Sequence, residues 1–357
     1  MRYFIYGSPI FLKSNISEMK ERFNNFKIES NFVNAYVIST HETSTKRFAG
    51  IKPEFLDRIL KIKKTARLSE KEYLNSIKSL LLSVPLPDKK LKIECVDINS
   101  RRGFSAKDIE VYLGQELESL GTKIDIEKPE ILCYVILFDM TCHIGFESYK
   151  KLRFVDSGRH YKQLSSKISR AEFKLMEAFD EFKIKIKGKK FALDLGAAPG
   201  GWSVFLAKQG FNVLAIDQGE LNVKNINDLK IEYMEFLKDQ NTDIDKLLSK
   251  YQILHVKDKF QSLLENKIAT KFLLMTCDMN ISPSEASQAV LLFKNMLVSG
   301  GALIFTIKCK TLYAKNFIEE AVGVLSKDFE ILQILALPNN RQELTLYAKK
   351  KKRNNMN

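Results

Sequence analysis

The stretch Phe191–Ser203 (FALDLGAAPGGWS) constrains the fold more than any other part of the sequence. It opens with an apolar run that ends at Leu195, continues through a turn rich in glycine and alanine, and enters a helical pattern near Trp202. This order predicts a buried parallel strand, a tight turn and a helix N-terminus. Small residues let the backbone approach a ligand, and the free N–H groups of the first helical turn face it. The stretch therefore predicts a nucleotide-binding crevice in a doubly wound sheet.

The strand predicted next along the chain supports this interpretation. It covers Val213–Ile216 and leads directly to Asp217. A carboxylate at the end of the second strand can accept hydrogen bonds from both hydroxyls of a ribose. We therefore expect Asp217 to bind the ribose of the nucleotide.

Three further apolar strands each lead to a charged residue. They are Ile253–Val256 with Asp258, Phe272–Cys277 with Asp278, and Ala302–Ile307 with Lys308. Ligands bind at the C-terminal edge of an open parallel sheet, because loops and helix N-termini converge there. A single charge at a strand end is commonly a solvent-facing stop, but three beside a Gly-rich loop indicate a functional site. Strands are also predicted over Phe329–Leu335 and Leu344–Tyr347, before a basic tail.

Helix signals complete the C-terminal half. A helix is predicted over residues 169–182, and its buried face consists of Leu175, Ala178, Phe179 and Phe182. Lys174 lies beside that face. Ser282 and Glu285 form a capping box with Pro283 at the first helical position, and they predict a helix that Gly300 closes. Residues 219–250 are polar and longer than such a connection needs.

The N-terminal half reads as two smaller units. Strands are expected within residues 2–8 and 32–39, around a helix that starts after Ser14 or Asn15. Ile59–Arg67 (ILKIKKTAR) is basic and is interpreted as a solvated linker. Beyond it we expect a helix from Ser69, a strand with Leu91, Ile93 and Cys95 on one face, a helix with a Ser105 and Asp108 capping box, and a final buried strand, Ile131–Phe138.

Composition limits the partners and the compartment. Lys and Arg number 57 against 43 acidic residues, a net charge of +14, which favours a polyanionic partner. The five cysteines are scattered without a C-x-x-C pair and the four histidines are isolated, so neither a disulfide framework nor a metal site is expected. No stretch approaches the length of a membrane span. A soluble cytoplasmic protein is expected, of unknown oligomeric state.

Five segments of the C-terminal half carry a resemblance to a known family. SRAEFKL, DLGAAPGGW, CDM, IFTIKCK and NNRQELTLYAKK resemble the FtsJ-like S-adenosylmethionine-dependent RNA ribose 2′-O-methyltransferases, and most of all their THUMP-containing, RlmM-type branch. The resemblance covers residues 165–350. It departs from the family at the long 219–250 insertion and at Asn280, where many relatives have an Ala-Pro pair. It implies a Rossmann-like class I methyltransferase domain, an α/β fold with a doubly wound, mostly parallel sheet, over residues 149–357.

The resemblance also implies which residues act. The Lys-Asp-Lys-Glu tetrad of the family falls on Lys174, Asp278, Lys308 and Glu343. The cofactor, S-adenosylmethionine, is expected to contact Ser169, Gly196, Ala198, Pro199, Gly200, Gly201, Trp202, Asp217, Asp258 and Asp278.

A second resemblance covers residues 67–148, which are similar to a THUMP RNA-binding domain. Residues 1–66 have the size of the ferredoxin-like unit that accompanies it. Arg101, Arg102 and Lys107 flank a Gly-Phe turn and are candidates for gripping phosphates, with Phe104 stacking on a base. The alternative, that Phe104 fills a core and the arginines are solvated, stays open. Together the two units imply RNA as the partner, with a tRNA end favoured and ribosomal RNA as the second candidate.

The chemistry demanded of the tetrad leaves one question open. Lys308 is the candidate base for the ribose hydroxyl, but the pKa of a free lysine is ~10.4, so its amine is protonated at neutral pH. Burial and the Lys174 cation lower its pKa, whereas Asp278 and Glu343 raise it, and the sequence does not decide which prevails. Two functions remain: an active RNA ribose methyltransferase, and an RNA-binding protein that keeps the fold as a scaffold.

Overall fold

Three β-sheets in two units make up the part of the chain that the structure describes. The computed structural model describes residues 1–7, 11–23, 25–32, 35–41, 53–98, 103–149, 171–185, 190–223, 229–235, 243–265, 268–309, 314–340 and 342–352. One unit consists of Met1–Arg47 and Leu56–Val155, and the other of Phe48–Phe55 and Asp156–Asn357. Within the described residues no helix is both long and apolar enough to cross a membrane. All five cysteines are free and buried.

The N-terminal unit begins with a four-stranded antiparallel sheet and one helix. The strands and helix are β1 (Arg2–Gly7), α1 (Leu12–Arg22), β2 (Phe26–Phe32), β3 (Ala35–Thr40) and β5 (Leu56–Ile62), in the sheet order β2-β3-β1-β5. Strand β2 was not expected, and α1 starts earlier than Ser14. No side chain caps α1, and the residue before it, Phe11, is fully buried. The start of α1 therefore has no cap signal that the sequence could show.

A second four-stranded sheet carries two helices. Its elements are β6 (Lys64–Arg67), α2 (Tyr73–Leu82), β7 (Leu91–Asp97), α3 (Ala106–Ser119), β8 (Ile131–Phe138) and β9 (Thr141–Ser148), with the order β6-β9-β8-β7. The capping box of α3 is confirmed: Asp108 N donates to Ser105 Oγ over 3.1 Å, and Ser105 N donates to Asp108 Oδ2 over 2.8 Å. Ile131–Phe138 is a strand as expected, but it is not the last, because β9 pairs with it along its full length.

The linker expected at Ile59–Arg67 is wrong. These residues belong to β5 and β6, which lie in different sheets, and the change of sheet falls at Lys63. Leu60 and Ile62 are buried, whereas Lys63 and Lys64 are exposed. A strand that buries only alternate residues can carry many lysines, so basic composition did not distinguish it from a linker.

The C-terminal unit is built on a nine-stranded sheet. Its strands are β4 (Pro53–Glu54), β10 (Lys190–Leu195), β11 (Phe211–Asp217), β12 (Ile231–Glu235), β13 (Ile253–Lys257), β14 (Phe272–Cys277), β15 (Leu297–Lys308), β16 (Phe329–Leu335) and β17 (Glu343–Lys350). Its α-helices are α4 (Ala171–Glu181), α5 (Gly201–Lys208), α6 (Ile244–Lys250), α7 (Pro283–Leu292) and α8 (Ala314–Leu325), with 3₁₀ turns at Phe260–Glu265 and Lys294–Met296.

The strand order confirms the doubly wound α/β prediction. The order is β12-β13-β11-β10-β14-β15-β17-β16-β4, and the first six strands are mutually parallel. β17 lies antiparallel between β15 and β16. Strand β10 has β11 on one side and β14 on the other, so the direction in which successive strands are added to the sheet reverses between β10 and β14. This switch point is where an open α/β sheet leaves a crevice for a ligand.

Two expectations for this unit need correction. The helix that begins at the confirmed capping box of Ser282 and Glu285 ends at Leu292, and Gly300 lies instead inside β15 with φ of +73°. A 3₁₀ turn and the first residues of the strand replace the last turns of the expected helix. The 219–250 insertion contains additional structure, the edge strand β12 and the helix α6.

The edge strand β4 comes from the N-terminal half of the sequence. Pro53 is paired with Ile334 and Glu54 with Leu335, and Ala336 N donates to Glu54 O over 3.0 Å. The segment expected as a methyltransferase domain, residues 149–357, does not include this strand. The edge of β16 that faces away from β17 is therefore paired with residues that come before β6 in the sequence.

We predict that a fragment of residues 156–357 is less stable than the same fragment preceded by residues 48–55 on a flexible Gly/Ser linker. Loss of the strand pairing removes one or two hydrogen bonds, about 1–3 kcal/mol in total. An uncovered strand edge also invites pairing between copies. Urea unfolding and sedimentation velocity measure both effects. Equal stability and equal monomer content of the two fragments would contradict this role of β4.

Candidate active site

The turn between β10 and α5 brings backbone close to two neighbouring segments. Gly196 has φ of +78°, and a Cβ there would lie 2.8 Å from Met279 Cγ. Gly200 has φ of +107° and is the N-cap of α5, and a Cβ there would lie 3.0 Å from Val223 Cγ1. A side chain at either position meets both a conformational penalty and a clash. Glycine is therefore required for the path of this turn.

Asp217 holds the turn from the end of β11. Its Oδ2 accepts from Ala198 N over 3.0 Å, and its Oδ1 accepts from Gly219 N over 2.7 Å. A carboxylate has about four lone-pair positions, so each oxygen keeps acceptor capacity. Asp217 lies beside the predicted cofactor turn, and its half-buried side chain remains a candidate for the ribose.

Asp258 lies beyond the end of β13, on one side of the switch point. Its Oδ1 accepts from Lys259 N over 2.6 Å, but its buried Oδ2 has no hydrogen-bond partner among the described residues. A buried carboxylate oxygen without a donor is costly, and a ligand N–H would satisfy it. Asp258 does not meet Asp278 and Lys308, although the three follow successive apolar runs, since β11 and β10 separate β13 from β14.

Four charged side chains form a closed ring at the other side of the switch point, and we call it the four-charge ring (Lys174, Asp278, Lys308 and Glu343). Lys174 Nζ lies 2.7 Å from Asp278 Oδ2 and 2.7 Å from Glu343 Oε1. Lys308 Nζ lies 2.5 Å from Asp278 Oδ1 and 2.6 Å from Glu343 Oε2. Each carboxylate thus bridges both ammonium groups, and the signs alternate. The assignment of these residues as catalytic stays a prediction.

Separate elements deliver the members of the ring. Lys308 ends β15 and Glu343 begins β17, and the two are direct partners in the antiparallel ladder, where opposite side chains lie side by side. Asp278 follows the last residue of β14, the strand on the other side of β15. Lys174 comes from α4 and is 8% exposed. The sheet therefore positions three charges, and one helix positions the fourth.

The electrostatics of the ring answer the question that the sequence left open. Burial raises the pKa of Asp278, but the Lys174 and Lys308 cations outweigh burial and hold this pKa below its usual value. Burial lowers the pKa of Lys308, but the Asp278 and Glu343 carboxylates outweigh it and raise the pKa of Lys308 above its usual value. In the ligand-free protein Lys308 is therefore an ammonium group at neutral pH.

Asp194 connects the two sides of the switch point. It is almost fully buried in β10, accepts from Ser203 Oγ over 2.6 Å and accepts from Thr276 Oγ1 over 2.7 Å. These bonds join the strand to α5 and to β14. Burial nevertheless raises the pKa of Asp194 to about 6, because two neutral hydroxyls replace its hydration shell only in part.

Two contacts that the sequence analysis missed tie α4 to the rest of the unit. Trp202 is buried, and its indole N–H donates to Ala171 O over 2.6 Å, so its polar atom is already engaged with the first residue of α4. Glu177, one turn after Lys174, is fully buried and accepts from Asn339 in the loop before Glu343. The available sequence signal was a glutamate three residues after a predicted catalytic lysine, within the same predicted helix. The cofactor role of Trp202 stays a prediction.

The predicted RNA contacts are described in part. Arg101 and Arg102 lie outside the described residues, as does Ser169, which was predicted to contact the cofactor and not the RNA. Phe104 does not fill a core: it is 42% exposed and stacks on Tyr73 with ring centroids 6.5 Å apart. Lys107 Nζ lies 3.2 Å from Glu110 Oε2 on the same helix. A contact of Phe104 with a base stays a prediction.

A family model and several known proteins match this chain. The family described as FtsJ-like methyltransferase matches residues 168–342. An uncharacterised protein of Methanocaldococcus jannaschii is 30% identical over 191 residues, which cover 51% of this chain and 47% of that protein. The chain thus spans about half the length of the first curated relative that it matches.

Two further similarities cover more of the chain. The ribosomal RNA large subunit methyltransferase M of Pasteurella multocida is 27% identical over 280 residues, which cover 72% of this chain and 69% of that protein. The crystal structure of TrmN from Thermus thermophilus aligns with 98% of this chain and 100% of that chain, at 12% identity and a TM-score of 0.39.

We predict a pH-dependent contribution of Asp194 to stability. The pKa of Asp194 is raised on folding, so the folded protein holds this proton more tightly than the unfolded chain does. The stability that the bound proton contributes is present below about pH 4 and is lost as the pH rises through about 6. Relative to Asp194→Asn, the wild type should lose about 2–3 kcal/mol of unfolding free energy across this window. Chemical unfolding of both proteins from pH 4 to pH 7 measures the difference. Parallel stability profiles would contradict the assignment.

Proposed function

Since residues 168–342 form an FtsJ-like methyltransferase domain, we propose that this chain transfers a methyl group from S-adenosylmethionine to a ribose 2′-hydroxyl of RNA. The observation that carries the proposal is the closed ring of Lys174, Asp278, Lys308 and Glu343 beside the glycine turn. The ring lies at the C-terminal edge of parallel strands, where ligands of this architecture bind. A hydroxyl is a poor nucleophile, and two lysines with two carboxylates can orient it and move its proton.

The residues around the switch point fit the proposed methyl donor. Gly196 and Gly200, both with positive φ, hold the path of the turn that leads into the N-terminus of α5. Asp217 keeps acceptor capacity for ribose hydroxyls, and the Oδ2 of Asp258, which has no partner in the described part of the chain, fits an N–H donor such as an exocyclic amine. When bound, S-adenosylmethionine supplies an activated methyl group whose sulfonium leaves without protonation. The residues proposed for the donor follow β11 and β13 on one side of β10, and the ring lies on the other side at the adjacent strands β14 and β15, so the two sites are neighbours at the switch point.

Lys308 is the proposed base. It is the most exposed member of the ring, with 19% of its side chain accessible, against 9% to 12% for the other three. Its neutral amine would take the hydroxyl proton while the oxygen attacks the methyl carbon and the electron pair of the broken bond stays on sulfur. Because its pKa is raised, it must first release a proton, and we expect the reaction to accelerate as the pH increases.

The other three residues have complementary roles. The Lys174 side chain can hold the hydroxyl oxygen as a hydrogen-bond donor. Asp278 and Glu343 each contact both lysines, from opposite sides of the ring. Lys174 therefore keeps its carboxylate partners while Lys308 takes the hydroxyl proton. Removing either carboxylate would leave a buried excess of positive charge, which is strongly unfavourable.

The RNA class is proposed from two observations. Residues 67–148 resemble a THUMP domain, and Phe104 presents an exposed ring there, which supports a tRNA end, such as an acceptor-stem nucleotide, as the first candidate. A relative that covers 72% of this chain is named a ribosomal RNA large subunit methyltransferase, which supports ribosomal RNA as the second. The net charge of +14 fits both.

One experiment tests both the activity and the target. The purified chain is incubated with labelled S-adenosylmethionine and unmodified tRNA or ribosomal RNA, and 2′-O-methylation is mapped at nucleotide resolution. A single methylated ribose supports the proposal and identifies the RNA class. Binding of both RNA and cofactor without transfer to either RNA would favour the scaffold alternative instead.

We predict that Asp217→Ala weakens the binding of S-adenosylhomocysteine about 10- to 100-fold, because a charge-assisted hydrogen bond worth ~1.5–3 kcal/mol is lost. Asp245→Ala is the matched control: its carboxylate also accepts from two backbone N–H groups, over 2.9 and 2.8 Å, but belongs to α6. Calorimetry should find its affinity unchanged. An unchanged dissociation constant for Asp217→Ala would assign the ribose to another residue.

We predict that Lys308→Ala lowers the rate of methyl transfer by ~10²–10⁴ at saturating cofactor and RNA. Lys308→Arg should fail as well, because arginine keeps its charge but does not surrender a proton. The wild-type rate should rise with pH from neutrality upward, since the neutral amine becomes more abundant. Single-turnover kinetics measure all three effects.

Lys294→Ala serves as the control for this series, because Lys294 forms a half-exposed ion pair with Asp328 over 2.8 Å and is not part of the ring. Its rate should match the wild type. A Lys308→Arg enzyme near wild-type speed would exclude the general-base role and leave Lys308 as a binding cation.

A further inference from the structure

A second contact joins the two elements that carry Lys174 and Glu343. Glu177 Oε1 accepts from Asn339 Nδ2 over 2.5 Å, and Glu177 Oε2 accepts from Asn339 N over 3.0 Å. Glu177 is 0% exposed, and each of its oxygens accepts a hydrogen bond from the same residue of the loop. We call this pair the Glu177–Asn339 contact.

The position of the contact relates it to the ring. Glu177 lies three residues after Lys174 on α4, so both side chains project from the same side of the helix. Asn339 lies four residues before Glu343, in the loop that connects β16 to β17. The ion pair between Lys174 and Glu343 and the Glu177–Asn339 contact thus connect the same helix to the same segment at two points.

The ring cannot supply this connection throughout a reaction. A hydroxyl that enters between the lysines replaces part of the ion pairing, and a neutral Lys308 no longer holds Glu343 as an ammonium does. The Glu177–Asn339 contact involves no member of the ring, so substrate binding leaves it intact. A buried carboxylate that accepts two N–H donors is also a strong, directional contact.

We propose that Glu177 and Asn339 are positioning residues that keep Glu343 against Lys308 and Lys174 while the ring exchanges its ion pairs for substrate contacts. This inference rests on the proposed methyl transfer. Neither residue touches the reacting atoms. Their effect on the reaction acts through the placement of Glu343, and a misplacement of about 1 Å in such a site lowers rates about 10²-fold.

The loop contains a matched control. Asn340 is the neighbour of Asn339, and its side chain is paired with Thr345 of β17, with Asn340 Nδ2 lying 3.1 Å from Thr345 Oγ1. This contact stays within the loop and the strand that follows, and it does not reach α4. Asn340→Ala therefore removes an amide of the same size from the same loop without releasing the loop from the helix.

Two variants test the contact itself. Asn339→Ala removes the side-chain donor to Glu177 Oε1. The double variant Glu177→Gln with Asn339→Asp exchanges the amide and the carboxylate, so a donor and an acceptor face each other again at unchanged net charge. We expect Asn339→Ala to lower kcat about 10-fold or more with little change in KM for RNA, and the double variant to recover most of the rate.

The deciding measurement is the pKa of Lys308, read by NMR of its ε-ammonium nitrogen in the ligand-free protein and assigned with Lys308→Arg. Among the described residues, the charged groups that face Lys308 are Asp278, Glu343 and, across the ring, Lys174. If the contact places Glu343, its loss moves one carboxylate away and lowers the pKa of Lys308. We expect a lower value in Asn339→Ala, and values near the wild type in the double variant and in Asn340→Ala.

Each outcome has a definite meaning. If Asn339→Ala leaves the pKa of Lys308 at the value found in Asn340→Ala, the contact does not position Glu343 and the inference is overturned, whatever happens to the rate. The same holds if the double variant does not restore the pKa. If the pKa shifts as expected but the wild type methylates no RNA, the positioning role stands and the proposed function fails.

Discussion

The structure of the C-terminal unit depends on the mutual neutralisation of four charges, two of them buried and two partly buried. An isolated ammonium or carboxylate at the exposures found for Lys174 and Glu343 would be strongly disfavoured, because little water remains to solvate it. Two of each sign in alternation give every charge two partners within 2.7 Å, so the net charge of the ring is zero. Such an arrangement tolerates little displacement, and the surrounding elements must therefore hold its members closely.

The sheet meets this requirement with one strand of reversed direction. In the parallel part, strand ends converge on one edge, and Asp278 lies there just after the end of β14. Because β17 runs antiparallel to β15, its first residue lies opposite the last residue of β15, and Glu343 thus becomes the direct neighbour of Lys308. Helix α4 then supplies Lys174 and is attached to the loop before β17 by a second carboxylate, Glu177.

Two groups of charged residues in this unit lie on opposite sides of the switch point. On one side, Asp217 at the end of β11 and Asp258 just after β13 retain unused acceptor capacity. On the other side, the four-charge ring has satisfied its charges internally. Asp194 lies between them and bonds to both α5 and β14. A buried carboxylate with a raised pKa destabilises the fold near neutrality, and this cost accompanies the rigid connection between the two sides.

Local patterns in the sequence predicted the strands β10, β11, β14 and β16 and both capping boxes, since alternation, apolar runs and cap spacing are short-range properties. The family resemblance identified the four residues of the ring, but only the tertiary structure showed their contacts, because Lys308 and Glu343 are separated by 35 residues and Lys174 and Glu343 by 169. The end of α7 and the edge strand β4 depend on packing between distant segments, which leaves no local signature, whereas β9 pairs with its sequence neighbour β8 and was missed for want of a recognised turn signal. The direction of the pKa shift of Lys308 is likewise a tertiary property, because it is set by the balance between burial and two carboxylates that the fold brings within 2.6 Å of one amine.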